Sequence, residues 1–370
     1  MTDHLKDLSA AGVSIWLDDL SRSRIESGNL AELIRDKQVV GVTTNPSIFS
    51  AALAGSEHYA TQVRQLAEAR IATDDAIFEL MTTDVRLACD LMAGPFGDSQ
   101  HRDGRVSIEV PPALAHDIEA TVAMAHKMAT AVGRPNVMVK IPATDAGLQA
   151  ITSATAAGLD INVTLIFGLE QYQGVIDAYL SGLEQAVLNG HDLSQIHSVA
   201  SLFVSRLDTE IDRRLELANA DHQLLGKAGV ANARLAYQLF EESLRTPRWE
   251  ALARNGANPQ RPLWASTGVK NPAYPDTMYV LDLVVEDTVN TMPEATLMAV
   301  SDHGNVATDQ VRPFYLQSQT VMDDLEGAGI NYSDVIDTLL QEGLSKFDQA
   351  WADVQDRVEQ SLAAASSAQA

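Results

Sequence analysis

The sequence predicts an α/β fold, in the form of a (β/α)8 TIM barrel with extra helices that makes a single domain. Eight short strand-like segments recur along the 370 residues, and a helical pattern follows each of them. Eight such units favour a closed barrel over an open doubly wound sheet. No linker rich in proline and glycine divides the units, and no strand leads into a Gly-x-Gly-x-x-Gly turn or a P-loop, so a nucleotide site has no support.

The predicted strands carry apolar side chains at alternate positions, because successive residues of a strand face opposite sides of the sheet. In the fourth strand, Met138 and Lys140 share the less apolar face, and Pro142 ends the strand because it lacks a backbone donor. Thr144 then suits the N-cap of the next helix. The eight strands are predicted at residues 13–18, 39–46, 105–111, 136–142, 161–167, 198–204, 262–268 and 288–293.

Helical patterns fill most of the chain between the strands. We expect a helical insertion near 47–103, with a turn-rich piece at 94–98, and a second insertion near 207–256 that is longer than one crossover needs. The barrel is expected to span residues 1–361, and the low-complexity residues 362–370 predict a flexible tail. The other helices are predicted at 22–37, 113–132, 168–189, 276–285, 294–302 and about 311–360.

Charge and cysteine content restrict the partners and the compartment. The net charge of −24 argues against a nucleic-acid partner or an anionic membrane, and an anionic substrate would need a local pocket of positive charge. The single Cys89 excludes an internal disulfide and fits a reducing compartment. No N-terminal signal and no membrane-spanning apolar run is visible, so we expect a soluble, cytoplasmic protein.

Lys140 stands at the carboxyl end of the fourth strand, just before a loop that leads into a helix. Lysines are seldom fully buried unless they are paired or used. Desolvation lowers the pKa of a lysine and makes its amine nucleophilic, which Schiff-base chemistry on a carbonyl requires. The alternative is a strand-end lysine whose amine reaches water along the surface.

Polar side chains occupy the inward face of strand after strand, near the carboxyl end where barrels of this type place their active sites. Taken singly, Asp18 could cap a helix, Asn45 could serve the turn before Pro46, and Thr164 could simply favour a strand. Taken together, burial of so many polar groups without partners would be costly, which favours a functional site. The inward set is Asp18, Thr43, Asn45, Glu109, Lys140, Asn162, Thr164, Ser201 and Ser266.

This set suits imine chemistry. Lys140 can attack a ketone, Glu109 can transfer protons around the carbinolamine, and Asp18 can accept a proton from a substrate hydroxyl when a C–C bond breaks. The amides of Asn45 and Asn162 can bind the hydroxyls of a polyol. No cluster of histidine, cysteine and carboxylates has metal-ligand spacing, so we expect neither a metal nor a cofactor.

The same residues lie in segments that resemble the signatures of the transaldolase family. These segments are GVTTNPS at 41–47, VKIPAT at 139–144 and NVTLIF at 162–167. The segments 14–22 and 264–272 resemble the longer bacterial branch of that family. The resemblance extends from Trp16 to the final helices and implies a class I aldolase-type barrel. Such an enzyme moves a dihydroxyacetone unit from sedoheptulose 7-phosphate or fructose 6-phosphate to glyceraldehyde 3-phosphate or erythrose 4-phosphate.

The resemblance also implies residue roles. Lys140 would be the Schiff-base lysine, Glu109 and Thr164 would handle the catalytic water, and Asp18 would be the acid/base at the C–C bond. Arg206 would inherit the phosphate-binding role. One departure is the loop after the seventh strand, where Lys270 stands in place of the second arginine of shorter relatives and lacks a bidentate fork. The implied substrate contacts are Thr43, Asn45, Asn162, Ser201, Phe203, Arg206, Ser266 and Lys270.

Two other functions stay open from the sequence. The related fructose 6-phosphate aldolases release free dihydroxyacetone, but they are shorter and carry glutamine and tyrosine where this chain has Glu109 and Phe203. A barrel kept for sugar-phosphate binding without catalysis is less compatible with the intact set of Asp18, Glu109 and Lys140. In each case the partners are small sugar phosphates, and we expect a monomer or a homodimer.

Overall fold

The computed structural model describes residues 4–54, 57–218 and 222–367, and it confirms the predicted barrel with all eight strands. The strands are parallel and pair in chain order, and β8 closes the barrel against β1. Their bounds are β1 Val13–Leu17, β2 Val39–Val42, β3 Arg105–Glu109, β4 Val137–Pro142, β5 Ile161–Ile166, β6 Ser198–Phe203, β7 Arg261–Ala265 and β8 Thr288–Met292.

Helices surround the barrel and account for most of the remaining chain. They are α1 His4–Ala10, α2 Arg22–Glu26, α3 Asn29–Asp36, α4 Pro46–Leu53, α5 Ala60–Glu68, α6 Thr73–Leu91, α7 Ala93–Asp98, α8 Ile118–Val132, α9 Asp145–Ala156, α10 Leu169–Leu188, α11 Val204–Leu217, α12 Ala228–Ser243, α13 Pro247–Arg254, α14 Met278–Leu281, α15 Glu294–His303, α16 Tyr315–Gly327 and α17 Tyr332–Ser367. Within the described ranges, none combines the length and the hydropathy that a membrane span requires.

Some helix bounds differ from the sequence prediction. The single helix predicted at 22–37 is divided into α2 and α3, because Gly28 takes a left-handed φ of 83° that side chains rarely adopt. Likewise Gly329, with φ of 86°, separates α16 from α17 within the region predicted as one helix at about 311–360. The piece at 94–98 is helical rather than turn-rich, since Pro95 lies in the first turn of α7, where its missing N–H costs no bond.

Two further segments show how the helices end. The helix predicted at 276–285 is reduced to the four residues of α14. The sequence predicts a flexible tail at 362–370; α17 extends into this segment as far as Ser367, residues 368–370 lie outside the described residues, and the flexibility of the tail stays a prediction. The alanine-rich end of α17 favours a helix, and Leu362 and Ala365 pack against the hydrophobic core.

Apolar side chains fill the interior of the barrel below the level of the polar strand ends. Each fully buried aliphatic side chain of this layer contributes roughly 1.5–3 kcal/mol through burial. Gly41 on β2 leaves room for the largest of them, since a Cβ there would come within 2.4 Å of the Trp16 ring. The layer therefore closes the barrel from below and leaves the carboxyl ends of the strands as the open side. Its members include Trp16, Met138, Val199, Leu263 and Val289.

Helix α17 lies over this open end. It packs against α4, α5, α6, α11 and β5. Gly343 of α17 faces the end of β5, where a Cβ would lie 3.0 Å from the Leu165 side chain, and Phe347 is buried one turn later. Leu165 itself has a left-handed φ of 58°, which interrupts the alternation of β5 and turns its side chain into the interior cluster with Phe347. The C-terminal helix thus forms a wall above the strand ends.

Candidate active site

A cavity of about 170 Å³ opens at the carboxyl ends of the strands, beneath α17. This is the end of the barrel where the sequence predicts a site. The structure brings most of the predicted residues together there, from five of the eight strands or the loops and helices that follow them. The predicted residues that line the cavity are Asp18, Thr43, Asn45, Lys140, Ser201, Phe203, Arg206 and Ser266.

Lys140 of β4 is held inside the barrel rather than at its surface. The residue is 5% exposed, which does not fit the alternative of a lysine whose amine reaches water. Its Nζ donates to the backbone oxygen of Thr44 at 3.1 Å and lies 3.4 Å from Glu109 Oε2. The ladder between β3 and β4 places Glu109 directly beside Lys140. The amine therefore faces the cavity with a carboxyl group on one side.

Glu109 and Thr164 lie behind the cavity lining and are almost fully buried. Burial raises the pKa of Glu109 to about 7, and the nearby Lys140 offsets only part of this effect. Glu109 Oε1 and Thr164 Oγ1 have no hydrogen-bond partner within the described residues. Buried polar atoms are normally paired, so these two are available to a reacting group. A carboxyl group with a pKa near neutrality can both give and take a proton.

Asp18 follows β1 and lines the same cavity as Lys140. Its Oδ1 accepts a hydrogen bond of 2.6 Å from Thr43 Oγ1, and Thr43 in turn lies 2.7 Å from Thr291 Oγ1. Burial raises the pKa of Asp18, and Lys140 and the Thr43 hydroxyl counteract this effect in part. The two threonines fix the orientation of the carboxylate, which can accept a proton from a bound hydroxyl.

The two asparagines take different positions. Asn45 Oδ1 caps α4 by accepting a hydrogen bond of 3.0 Å from Ile48 N. The residue also lines the cavity, and its amide NH2 stays available to a ligand. Asn162 is fully buried and is not among the cavity-lining residues. It donates to Ser107 Oγ at 2.9 Å and accepts from Ser201 Oγ at 2.7 Å. Asn162 thus orients Ser201, and its direct contact with a substrate stays a prediction.

Positive charge collects at one end of the cavity. Arg206 of α11 lies 5.4 Å above the Phe203 ring, and its Nη1 has no hydrogen-bond partner within the described residues. Desolvation lowers the pKa of Arg206, and Glu342 and Asp18 offset this only in part. Lys270 does not line the cavity, and its residue is exposed. Even so, partial desolvation and two neighbouring cations, Arg206 first, lower its pKa.

Ser266 enters the cavity through an irregular backbone. Its φ of 54° is left-handed, which breaks the alternation after β7 and lets both Ala265 and Ser266 line the cavity. Ser266 Oγ lies 2.9 Å from Ser205 Oγ at the start of α11. This bond ties the loop after β7 to the helix that carries Arg206.

The cavity also includes residues that sequence reasoning missed: Ser47, Ala265, Thr291, Lys346 and Phe347. Thr291 could have been found, since it shares its face of β8 with the interior residue Val289. Lys346 and Phe347 come from α17, far along the chain and outside any strand end. No local pattern connects them with the barrel rim, so only the packing of α17 reveals their place.

The arrangement has the groups that imine chemistry needs. A buried amine faces the cavity, a carboxyl group with a pKa of about 7 is in contact with it, and a second carboxyl group lines the same cavity. A guanidinium with an unused N–H marks a place for an anion. Among the described residues, no three His, Cys, Asp or Glu side chains are grouped so that they could hold a metal ion.

Comparisons with known proteins agree with this geometry. The family model described as Transaldolase/Fructose-6-phosphate aldolase matches residues 15–358. The chain is 57% identical over 367 residues to the transaldolase of Kocuria rhizophila, covering 99% of this chain and 100% of that protein. It is 54% identical over 363 residues to the transaldolase of Acidothermus cellulolyticus, covering 98% of each. The transaldolase of Saccharopolyspora erythraea is 56% identical over 359 residues, which cover 97% of this chain and 98% of that one.

The family match includes each predicted catalytic residue, and the three relatives match over 97–99% of this chain. The chain therefore belongs to the transaldolase/fructose-6-phosphate aldolase family.

Proposed function

We propose that the protein is a transaldolase of the pentose phosphate pathway, which transfers a dihydroxyacetone unit from sedoheptulose 7-phosphate to glyceraldehyde 3-phosphate. The products are erythrose 4-phosphate and fructose 6-phosphate, and the transfer is reversible. The observation that carries this proposal is the buried Lys140, whose Nζ lies 3.4 Å from Glu109 and faces a cavity that also holds Asp18. The names of the full-length relatives support the transferase rather than the aldolase.

The first half of the reaction makes an imine. Lys140 Nζ attacks the C2 carbonyl of the donor, and the new N–C bond gives a carbinolamine whose hydroxyl must leave as water. Glu109 supplies the proton for this departure, and its pKa of about 7 keeps a protonated fraction present near neutral pH. Thr164, with its unpartnered Oγ1, helps to hold the water that is released. The imine then serves as an electron sink for the next step.

The second half breaks and remakes the C–C bond. Asp18 accepts the proton of the C4 hydroxyl, the C3–C4 electron pair moves into the imine, and the aldehyde product leaves. The remaining enamine attacks the carbonyl carbon of the acceptor aldehyde, and the aldehyde oxygen takes the proton from Asp18. Water then hydrolyses the new imine and releases the ketose from Lys140. Thr43 holds the Asp18 carboxylate in place for both proton transfers through its 2.6 Å hydrogen bond.

The rest of the cavity binds the ends of the substrate. The Asn45 amide and the hydroxyls of Ser201 and Ser266 suit sugar hydroxyls, and Phe203 closes one side beneath the Arg206 guanidinium. Arg206 can take two phosphate oxygens in a planar fork. In a protein of net charge −24, this local positive charge is what allows a sugar phosphate to approach.

One mixing experiment separates this proposal from its rivals. The protein is incubated with fructose 6-phosphate and erythrose 4-phosphate, and the products are identified. A transaldolase forms sedoheptulose 7-phosphate and glyceraldehyde 3-phosphate. Release of free dihydroxyacetone without the seven-carbon product would instead indicate a fructose 6-phosphate aldolase, and the absence of both would indicate a barrel that binds without catalysis.

The cellular setting is part of the same proposal. We place the enzyme in the cytoplasm, since its single cysteine, Cys89, is buried and unpaired, as suits a reducing compartment. The oligomeric state is proposed as a monomer or a homodimer. Light scattering of the purified protein tests this directly, and a larger assembly would contradict it.

A further inference from the structure

A further cation, Lys346, lies at the cavity beside Arg206, on a helix rather than at a strand end. It belongs to α17, whose next residue, Phe347, is buried in the cluster that fills the barrel interior. Gly343, one turn earlier, fits closely against Leu165, where a Cβ would come within 3.0 Å. Packing at Gly343 and Phe347 thus fixes α17 on both sides of Lys346, and this holds the lysine at the cavity mouth.

Two cations from separate parts of the chain line this mouth, Arg206 of α11 and Lys346 of α17, and both act electrostatically on a third, Lys270, which lies outside the lining. Lys270 has its pKa lowered by desolvation and then by Arg206 and Lys346, so the three groups repel one another. Arg206 also keeps an Nη1 without a partner among the described residues. Like charges gathered in this way are costly unless an anion joins them. The cluster therefore has the electrostatics of an anion site.

Lys346 has a weak partner in the structure. Its Nζ donates to Glu342 Oε2 at 2.8 Å, one turn earlier on α17. The side chains of Lys346 and Glu342 are 58% and 48% exposed, and an exposed helical pair of this kind contributes only a few tenths of a kcal/mol. A phosphate group carries about −1.5 to −2 charges, more than a carboxylate, and can accept from Arg206 and Lys346 together. Exchange of the carboxylate for a phosphate is therefore favourable.

We propose that Lys346 is a phosphate ligand of this active site and exchanges Glu342 for the phosphate of the substrate. The inference rests on the proposed function and adds a helix-borne specificity residue to it. Lys346 lines the cavity with Arg206, whereas Lys270 stands outside the lining and contributes to the field at longer range. The C-terminal helix thereby favours phosphorylated over unphosphorylated donors, and Glu342 competes with the substrate for the lysine.

Two substitutions that remove the same ion pair test this exchange. The probe is inorganic phosphate, whose binding is measured by calorimetry and by competition against fructose 6-phosphate. Lys346→Met is expected to weaken phosphate binding about tenfold, because a charge-assisted contact is lost. Glu342→Gln is expected to strengthen it about threefold, because the competitor is removed. Lys346→Arg should retain most of the binding, since it keeps the charge.

The control is Lys127→Met, which removes one positive charge on α8, where Lys127 pairs with Asp75 outside the cavity lining. It should leave phosphate binding within error of the wild type. If Lys346→Met and Glu342→Gln weaken binding equally, the pair serves only to stabilise α17 and the proposal is overturned. An unchanged affinity in Lys346→Met, or no saturable phosphate binding by the wild type, overturns it as well.

Turnover separates this inference from the proposed function. In the transaldolase assay, Lys346→Met should lower kcat/KM for fructose 6-phosphate about tenfold and leave kcat/KM for unphosphorylated fructose unchanged. If the wild type turns over no sugar phosphate while Lys346→Met still weakens inorganic phosphate binding, the proposed function fails and the phosphate ligand stands. If turnover occurs and Lys346→Met matches Lys127→Met in every assay, the inference alone fails.

Discussion

Two buried carboxyl groups, Asp103 at the amino end of the barrel and Glu109 at the carboxyl end, have opposite surroundings. At the amino end, Asp103 is enclosed by Arg261 at 2.9 Å, Ser14 at 2.8 Å and the Trp16 indole at 3.3 Å. At the carboxyl end, Glu109 has only the 3.4 Å contact with Lys140, and its Oε1 lacks a partner within the described residues. Both oxygens of Asp103 thus accept hydrogen bonds, whereas one oxygen of Glu109 accepts none within the described residues.

The pKa values of Asp103 and Glu109 reflect this difference in partners. Burial acts to raise the pKa of both acids, but the partners of Asp103 overcome it and hold its pKa below the usual range. For Glu109, Lys140 does not overcome burial, and the pKa rises to about 7. A carboxylate that is permanently charged stabilises a fold, whereas one that is poised near neutrality can move protons. Asp103 is therefore suited to stabilising the barrel at its amino end, and Glu109 to the chemistry at the carboxyl end.

The largest expected effect is on catalysis at the carboxyl end. Glu109→Gln removes the proton donor but keeps the size and shape of the side chain. We expect turnover to fall by about 10²–10⁴-fold while imine can still accumulate, because general acid–base help is typically of this size. Steady-state kinetics combined with borohydride trapping measures both quantities. A variant within about twofold of the wild type would remove Glu109 from the mechanism.

The matching substitution at the amino end is Asp103→Asn. It leaves the buried Arg261 without its charged partner, so we expect a loss of about 3–5 kcal/mol of unfolding free energy, with kcat per folded molecule unchanged. The pKa of Asp103 is lowered in the folded state, so its contribution is present at neutral pH and is lost as pH falls through that lowered value. The difference from the wild type should therefore shrink in acid. A large loss of kcat in Asp103→Asn would break the comparison.

The phosphate contacts rank next. Arg206→Ala should lower kcat/KM for phosphorylated donors by about a hundredfold, since two charge-assisted contacts are lost. Lys270→Ala should change it by less than about threefold, because an exposed charge outside the cavity lining acts only through the field. Neither change should prevent imine trapping with unphosphorylated dihydroxyacetone at high concentration. Equal losses in the two variants would instead indicate that Lys270 binds the phosphate directly.

The smallest predicted effect concerns pH. The rate of imine formation should decline as pH rises through about 7, because the Glu109 carboxyl then loses the proton that it gives to the leaving hydroxyl. Glu109→Gln should lack this decline, whereas Asp103→Asn should keep it. Borohydride trapping rates between about pH 6 and 9 give the profile. An unchanged decline in Glu109→Gln would assign it to another group.

The sequence predicts the barrel and the catalytic groups for one reason: both follow from period-two alternation within short strands. Lys140, Glu109 and Asp18 lie on the inward parity near strand ends, and that parity alone brings them together. The left-handed backbones of Leu165 and Ser266 do not follow from local pattern, because nothing in these residue types favours a positive φ.

The contribution of α17 could not be predicted for a related reason. Lys346 and Phe347 reach the cavity only because Gly343 fits against Leu165, a contact between residues far apart in the chain. The division of the predicted helix at 22–37 was more accessible, since Gly28 stands within the helical pattern and glycine is the residue that most readily ends one. Local periodicity thus gives the strands and their inward faces, while tertiary packing decides what covers them.

The most direct test of this account is covalent trapping of the imine. The protein is treated with fructose 6-phosphate and borohydride, digested, and analysed by mass spectrometry, with Lys140→Met as the matched control. We predict a single reduced adduct on Lys140, the buried amine in contact with Glu109, and none in the control. An adduct on Lys270 or Lys127, or an adduct that persists in Lys140→Met, would contradict the assignment of the catalytic lysine.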